Sequence, residues 1–310
     1  MADKRKLGVL AAILLFLITA GAAFFVVKSY LWSGNSEDLP AEPTSAAAAP
    51  ATGPQIQVGI FLSDFSATGP HRQARPYGYQ TQLRVVKSLR DPSIHLIPVI
   101  EPNTARKGQL PRLLAQNFPG ESPIDATNLD EMRKLDVLSA TSSGNLPENV
   151  INSITQRVRE GMGFLERQPG YITPGYNAET NDLCGFTDGV FGWSPNSVEC
   201  EVVGNHPLLG DLSGLTGKTI NLIPNGTVGE LKGIPLLRVK QMHQIMLVAS
   251  NRTVSTGEYL YPLYISQLGK GRIVGIGFTQ GKEVPEALDA ANQGRFYIHC
   301  VQWLAGKPLN

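Results

Sequence analysis

Strand-like and helix-like hydrophobic patterns alternate between Gln55 and Arg167, and this alternation most constrains the fold. "QIQVGIFLS" and "IHLIPVI" are runs of β-branched and apolar residues typical of buried strands, and "KLDVLSAT" is a shorter one. Between the first two, "YQTQLRVVKSLR" places Leu83, Val86 and Leu89 at helical spacing. The order strand, helix, strand, strand, helix, strand predicts an α/β domain with a mainly parallel sheet flanked by helices.

The second predicted helix ends in the stretch "RVREGMGFLERQ". Pro147 falls in its first turn, and Gly161 suits a left-handed cap at its end. Its apolar stripe consists of Val150, Ile151, Ile154 and Val158. The glycines that follow it form either a structural turn from helix to strand or a turn that cradles a ligand.

The N-terminus carries an apolar segment long enough to cross a bilayer. Lys4, Arg5 and Lys6 precede the uncharged run Leu7 to Val27, which matches the ~20 residues of a membrane-spanning helix. Basic residues in front of it indicate a cytoplasmic N-terminus. A cleaved signal peptide is the alternative, because Ala20-Gly21-Ala22 has the form of a cleavage site. Both alternatives export the main domain, into the periplasm if the cell is bacterial.

The composition indicates how the chain divides into segments and a domain. Residues 31–54 are rich in Ala, Pro, Ser and Glu, and such a segment predicts a flexible linker. We therefore expect a basic cytoplasmic tail over 1–6, a transmembrane anchor over 7–30, this linker, and an extracytoplasmic domain over 55–310. The chain of 310 residues is 42% hydrophobic with a net charge of +1, which excludes a disordered or nucleic-acid-binding protein.

The C-terminal third changes to additional β-strands. "KTINLIP", "QIMLVAS", "YPLYISQ" and "GRIVGIGFT" are strand candidates separated by turn residues. "GRFYIHCVQWLAGKP" predicts a closing helix that Gly306 and Pro308 terminate. Gly170 to Ser197, in contrast, is rich in Gly, Asn, Asp and aromatic residues and predicts a long loop or a pair of hairpins.

The series "LDVLSAT", "VREGMGFLE", "VVGNHPLLGDLSGL", "YPLYISQLGKGRIVGIGF" and "FYIHCVQWLAGKP" resembles the class I glutamine amidotransferase-like superfamily, especially its ThuA-like (trehalose-utilisation-like) branch. The resemblance runs in order from Ile56 to Pro308 and implies a flavodoxin-like, amidotransferase-like α/β fold. In this comparison Gly161 and Gly163 match the family's glycine-rich step, where Met162 replaces the middle glycine. His206 matches the branch's His-Pro segment.

The same resemblance argues against glutaminase chemistry. Active members place a Cys nucleophile on a sharp G-x-C-x-G elbow between strand and helix. Cys184 is the one cysteine in a glycine context, yet Asp182 and Phe186 occupy the two glycine positions. Leu208 replaces the Glu of the amidotransferase His-Pro-Glu motif. Whether any other reaction is catalysed stays open.

Cysteines and histidines predict few further sites. In an exported domain a disulfide between Cys184 and Cys200 is possible, whereas Cys300 falls on the buried stripe of the closing helix. The histidines show no spacing that brings two of them to one helix face, so we expect no metal site. No cofactor motif is present, because the glycines of "GKGRIVGIG" miss the dinucleotide-binding spacing.

Two functional hypotheses follow. In the first, the domain is catalytically silent and serves as a binding or scaffold subunit of a membrane-associated complex. In the second, it binds or processes a small polar ligand, such as a carbohydrate, at the carboxyl ends of the strands. The candidate ligand-binding residues are Asp64, Thr141, Ser142, Gly161, Gly163, Arg167, His206 and Trp193. Trp193 belongs to an aromatic cluster suited to stacking on sugar rings, which consists of Tyr171, Tyr176, Phe186, Phe191 and Trp193. That cluster otherwise pins its loop onto the sheet or forms a protein interface.

Overall fold

The computed structural model describes residues 54–62, 77–101, 110–141, 147–167, 182–194, 196–240, 245–247, 259–278 and 284–309. All of them lie in the second of the two units into which the chain divides, Ala49–Asn310. Among the helices of these residues, none is both long and apolar enough to span a bilayer. The predicted tail, anchor and linker lie outside the described residues.

The strands, in chain order, are β1 (Ile56–Leu62), β2 (Ile94–Ile100), β3 (Ile124–Asp125), β4 (Val137–Thr141), β5 (Gly163–Arg167), β6 (Phe186–Trp193), β7 (Val198–Val202), β8 (Thr219–Leu222), β9 (Asn225–Leu231), β10 (Ile234–Val239), β11 (Met246–Leu247), β12 (Leu263–Leu268) and β13 (Gly271–Ile276). The helices are α1 (Tyr77–Ser88), α2 (Leu110–Asn117), α3 (Leu129–Met132), α4 (Glu148–Glu160), α5 (Glu286–Ala291) and α6 (Phe296–Leu304), with a 3-10 helix η1 at Pro207–Leu212.

The main sheet has ten strands in the order β3-β2-β1-β4-β5-β13-β12-β10-β7-β8. From β3 to β13 every pair is parallel, and from β13 to β8 every pair is antiparallel. The α/β architecture with a mainly parallel sheet and added C-terminal strands is thus confirmed. The antiparallel part is larger than predicted, because β7 and β10 join the same sheet.

The parallel strands define where a ligand site is expected. Without the dipeptide strand β3 at the edge, their order in the sheet is β2-β1-β4-β5-β13. Numbered along the chain, this is the flavodoxin-type order 2-1-3-4-5, in which the direction of winding reverses between β1 and β4. Ligands of such sheets bind outside the carboxyl ends of the strands at that reversal.

The region predicted as a long loop before Ser197 contains a strand instead. β6 pairs antiparallel with β9 and β11 to form a separate three-stranded sheet. Asp188, Gly189 and Gly192 lowered the apparent strand propensity of this run, but pairing with a distant strand supplies the backbone hydrogen bonds. A hairpin to a sequence neighbour, the predicted alternative, does not account for β6.

Helices cover both faces of the parallel strands. On β5, Leu165 belongs to the core cluster that contains α1 and α6, whereas Phe164 belongs to the cluster that contains α4. Successive residues of a strand point to opposite faces, so α1 and α6 lie on one face and α4 on the other. The predicted stripe of α4 is buried throughout, and all of β5 is buried.

The two glycines after α4 have packing roles. Gly161 caps the helix at φ 129°, and its N–H bonds the carbonyls of Arg157 and Val158. A Cβ on Gly163 would lie 2.7 Å from Cβ of Leu304 and 2.9 Å from its carbonyl oxygen. Gly163 therefore allows α6 to approach the first residue of β5. Both glycines lie at the amino-terminal end of β5, opposite the expected ligand edge, and their contacts favour the structural alternative.

We predict that Gly163→Ala destabilises the domain by about 1–3 kcal/mol, because the added methyl group overpacks against Leu304. Gly120→Ala is the comparison, since Gly120 has φ 83° and no atom within 4 Å of an added Cβ. That variant tests backbone strain without a clash, at about 1–2 kcal/mol. Thermal unfolding of the two variants checks this, and a smaller loss of stability for Gly163→Ala than for Gly120→Ala would contradict the clash with Leu304.

Candidate functional site at the carboxyl ends of the parallel strands

Polar and charged residues end the strands around the β1/β4 reversal. Thr141 ends β4 and pairs with Arg167 at the end of β5, and Glu101 directly follows β2 and is buried. The side chain of Thr141 lies outside the described part, as do Asp64 and Ser142. Of the predicted ligand residues at this edge, the structure therefore describes the side chain of Arg167.

Arg167 is a buried cation on the α6 side of the sheet. It is 1% exposed, and its guanidinium carbon lies 5.2 Å from the centroid of the Tyr297 ring. This is cation–π distance, and burial strengthens such a contact. The ring holds the guanidinium at the carboxyl end of β5, where its donors suit carboxylate, phosphate or hydroxyl oxygens.

The opposite face of β5 carries a cluster that the sequence analysis missed. Glu166, fully buried, lies in register with Gly275 of β13, which lies in register with Tyr264 of β12. A Cβ on Gly275 would lie 1.9 Å from Cζ of Tyr264, so the tyrosine ring lies across β13 in the space that a side chain would fill. The missing Cβ therefore allows the phenol to extend towards Glu166.

The Tyr264 hydroxyl is fixed as a hydrogen-bond donor. It donates to the carbonyl of Cys184 over 2.7 Å. Burial raises the pKa of Tyr264 far above its usual range, and the neighbouring Cys184 and the charge of Glu166 raise it further. The phenol stays protonated as a result. Glu166, next to the terminal Arg of the strand "GFLER", was the sequence signal for this cluster.

His206 lies away from the carboxyl edge. Its ring meets Trp303 edge-on at 5.0 Å, and the Trp303 carbonyl accepts a 2.6 Å bond from Arg272, the second residue of β13. The next residue, Leu304, contacts Gly163 at the start of β5. His206 is thus at the amino-terminal ends of β5 and β13, whereas Arg167 is at the carboxyl end. The structure therefore does not bring His206 and Arg167 together.

His206 instead caps η1. Its Nδ1 accepts a hydrogen bond from the backbone N–H of Leu208 over 3.2 Å, which requires an unprotonated Nδ1. Partial burial lowers the pKa of His206, and the positive charge of Arg272 lowers it further. The loop-packing alternative for this histidine is the one its contacts support.

The predicted Cys184–Cys200 disulfide is not formed. All three cysteines are free and buried. Cys184 packs with Phe186 and Tyr264, whereas Cys200 lies on β7 within the main core. Separate packing clusters keep the thiols apart, although they are close in sequence.

The predicted aromatic cluster is only partly described. Phe186 packs edge-on against Tyr264 at 5.3 Å and is fully buried, so it pins its strand to the main sheet. Trp193 pairs through its backbone with Asn225 and Met246. Its side chain, like that of Phe191, lies outside the described part, as do Tyr171 and Tyr176.

In the described part of the chain, the two surface depressions lie away from the carboxyl edge. The described residues contain no group of three His, Cys, Asp or Glu side chains suited to a metal ion. An open depression of about 530 Å³ lies between β8 and α5. Another, of about 510 Å³, lies on the outer side of α4.

This chain is similar to several solved structures, but at low sequence identity. No protein-family model and no curated protein sequence match this chain. A putative ThuA-like protein from Bacteroides uniformis ATCC 8492 is 13% identical, with 82% of this chain and 96% of that one covered and a TM-score of 0.48. A putative ThuA-like protein from Parabacteroides merdae ATCC 43184 is 12% identical, with 83% and 92% covered and a TM-score of 0.49.

A β-galactosidase from Rahnella sp. R3 is similar to the same extent. It is 13% identical, with 82% of this chain covered and a TM-score of 0.48, and this chain spans 32% of its length. Solved structures similar to this chain therefore include ThuA-like proteins. At these identities and TM-scores, the comparisons assign neither a family nor an activity.

We predict that the domain becomes less stable as the pH falls below the ordinary histidine pKa of 6.5. The pKa of His206 is lowered in the folded state, so the unfolded chain binds a proton at a higher pH than the folded chain does. The stabilising contribution of unprotonated His206 is therefore complete above pH 6.5 and declines as the pH falls below that value. His206→Asn keeps a side-chain acceptor for the cap and removes the titration. Thermal unfolding at about pH 7.5 and about pH 5.5 tests this, since the variant should lose less stability than the wild type between the two.

We also predict that Tyr264→Phe destabilises the domain by about 1–3 kcal/mol, because it removes the buried hydrogen bond from the hydroxyl to the Cys184 carbonyl. Tyr261→Phe is the matched control. Tyr261 adjoins the same cluster, 6.5 Å from the Phe186 ring, but is only partly buried. Equal unfolding midpoints for the two variants would contradict the structural role of the Tyr264 hydroxyl.

Proposed function

We propose that this protein is a catalytically silent, amidotransferase-like domain tethered to a membrane. In this proposal Leu7 to Val27 anchors the chain, the main domain is extracytoplasmic, and it acts as a binding or scaffold subunit of a membrane-associated complex.

The burial of the cysteine thiols carries the proposal. A cysteine nucleophile reacts as an accessible thiolate. Burial raises the pKa of Cys200 to about 12 and raises the pKa of Cys300 further. Cys184 is also buried, with its carbonyl bonded to Tyr264. None of these three thiols is placed for the attack that glutamine hydrolysis requires.

The sequence of the N-terminal region supports the tether. Three basic residues followed by an apolar run satisfy the pattern of a cytoplasmic start and a single span. The Ala- and Pro-rich composition of Asn35 to Pro54 is typical of a linker between an anchor and a domain.

The polar strand ends favour the second candidate, a small polar ligand such as a carbohydrate. Glu101 and Arg167 lie at the carboxyl ends of β2 and β5, on either side of the β1/β4 reversal. A carboxylate and a guanidinium flanking this position suit a ligand that carries hydroxyl groups. Asp64, Thr141 and Ser142 belong to the same proposed edge, whereas His206 does not.

We predict that the full-length protein co-purifies with stoichiometric membrane proteins after gentle solubilisation of native membranes. Two comparisons separate the anchor from the domain: a fragment from Gln55 to Asn310, and a full-length variant in which an unrelated apolar span replaces Leu7 to Val27. Partners held by the exported domain remain with the span-replaced variant. A full-length protein that purifies alone contradicts the scaffold proposal.

Activity and ligand measurements then decide between the candidates. Glutamine hydrolysis by the purified full-length protein should equal that of its Cys184→Ala variant. Glutaminase activity that Cys184→Ala abolishes would overturn the catalytically silent assignment. A sugar that raises the unfolding temperature of the wild type but not of Arg167→Lys would instead favour the ligand site, since Lys lacks the planar guanidinium.

A further inference from the structure

The amino edge of the main sheet, the side at which its parallel strands begin, collects strand ends from both halves of the sheet. The parallel strands β5 and β13 begin there, at Gly163 and Gly271. Because β12 and β10 then pair antiparallel in turn, β12 ends at this edge and β10 begins there, at Ile234. For the same reason β7 ends there and β8 begins there, at Thr219. Residues far apart in sequence therefore share one edge.

Two large apolar side chains are exposed at the amino edge. Ile234 begins β10 and is 59% exposed, and Leu215, shortly before β8, is 44% exposed. Both lie on the α6 side of the sheet, because Ile234 pairs with Ile265 and η1 precedes Leu215, and Ile265, η1 and α6 share one core cluster. Single exposed apolar residues are ordinary. In the described part of the chain, however, no other large apolar side chain is as exposed, and both fall on one side of one edge.

Trp303 and basic side chains occupy the same edge beside β5 and β13. Trp303 is half-buried, and the guanidinium carbon of Arg272 lies 5.2 Å from its ring centroid. Lys270 directly precedes β13, Lys307 follows α6, and both are exposed. Neither lysine is ion-paired with another described residue. Tryptophan and basic side chains are the residues enriched at the headgroup layer of a bilayer.

The carboxylates close to Lys270 are already bound by other cations. These ion pairs are Glu160–Arg157, Asp182–Arg159 and Asp182–Lys232. At the β8 end of the edge, Asp211 lines the same depression as Lys218, so the two charges there offset each other. The excess of positive charge therefore lies at Lys270 and Lys307, beside Trp303.

We propose that the amino edge rests on the anionic headgroups of the membrane, with Trp303 at headgroup level and with Leu215 and Ile234 directed towards the acyl chains. This inference rests on the proposed tether. Strand β1 begins at the same edge with Ile56, and so the linker joins the domain on the side that faces the lipid.

Charge and apolar contact together favour a lipid surface as the occupant. Basic side chains attract anionic headgroups, and exposed apolar side chains add contact with the boundary of the acyl region. In this orientation the carboxyl edge, with Glu101 and Arg167, faces away from the bilayer. That edge then stays open to the ligand or partner of the domain.

The test measures energy transfer from the full-length protein to an acceptor on lipid headgroups in nanodiscs. The donor is attached in one preparation at Thr216→Cys, next to Leu215, and in the other at Glu148→Cys, where α4 begins on the carboxyl side. The 13 residues of α4 span about 20 Å, which separates the heights of the two edges. The native cysteines are buried, so the label selects the introduced thiol. In discs that contain phosphatidylglycerol, transfer should be greater from Thr216→Cys than from Glu148→Cys.

Charge reversal identifies the contact. Lys270→Glu/Lys307→Glu should lower the transfer from the Thr216→Cys donor to the value found with phosphatidylcholine alone, because it replaces attraction by repulsion. Arg84→Glu/Arg112→Glu makes the same change of net charge at exposed positions of α1 and α2, and should leave the transfer unchanged. Equal thermal unfolding midpoints for the two double variants show that both are folded.

Two results overturn the docking. One is equal transfer from both donors in discs with phosphatidylglycerol, which includes the case in which the edge binds a protein. The other is transfer from Thr216→Cys that neither lipid composition nor Lys270→Glu/Lys307→Glu changes. A chain that does not stay with the discs during their purification refutes the tether, and the docking with it, and this outcome is distinct from a retained chain that does not dock.

Discussion

Burial of β5 on both faces is the constraint on which the rest of the structure depends. A strand covered on both sides must satisfy every polar group within the protein. Yet β5 ends in Glu166 and Arg167, both almost inaccessible to solvent. The two faces place different aromatic side chains beside these charges: α6 supplies the Tyr297 ring beside Arg167, and β12 brings Tyr264 across Gly275 on the Glu166 side. These contacts join β5 to α6, and the Tyr264 hydroxyl joins β12 to the turn at Cys184.

Periodicity made the parallel part of the fold predictable. The runs that became β1, β2, β4 and β13 are apolar because they are buried on both faces, and α4 shows a clear stripe. β3 has two residues and α3 has four, too few for any period to be visible. β7 and β10 were missed because their pairing depends on residues far along the chain.

The candidate site was predictable only in part. The position of Arg167 was predictable from its place at the end of a strand, because the parallel order fixes the carboxyl edge. The position of His206 was not predictable, because it depends on the path of the chain after β7 and on packing against Trp303. Tyr264 extends towards Glu166 because Gly275, on the strand between them, has no side chain. No local pattern in "YPLYISQ" reveals this. The disulfide considered from the sequence is not formed, because Cys184 and Cys200 pack in different clusters although they are close in sequence.

The hairpin between β12 and β13 joins the parallel and antiparallel halves of the sheet. The chain leaves the parallel half after Arg167 and returns to it through this hairpin, with β13 directly beside β5. The described strands between these points, β6 to β12, pair only antiparallel. Insertions, deletions or wholesale replacement of that segment can therefore accumulate during evolution while the parallel strands keep their alignment, so relatives of this chain should diverge most in length between β5 and β12.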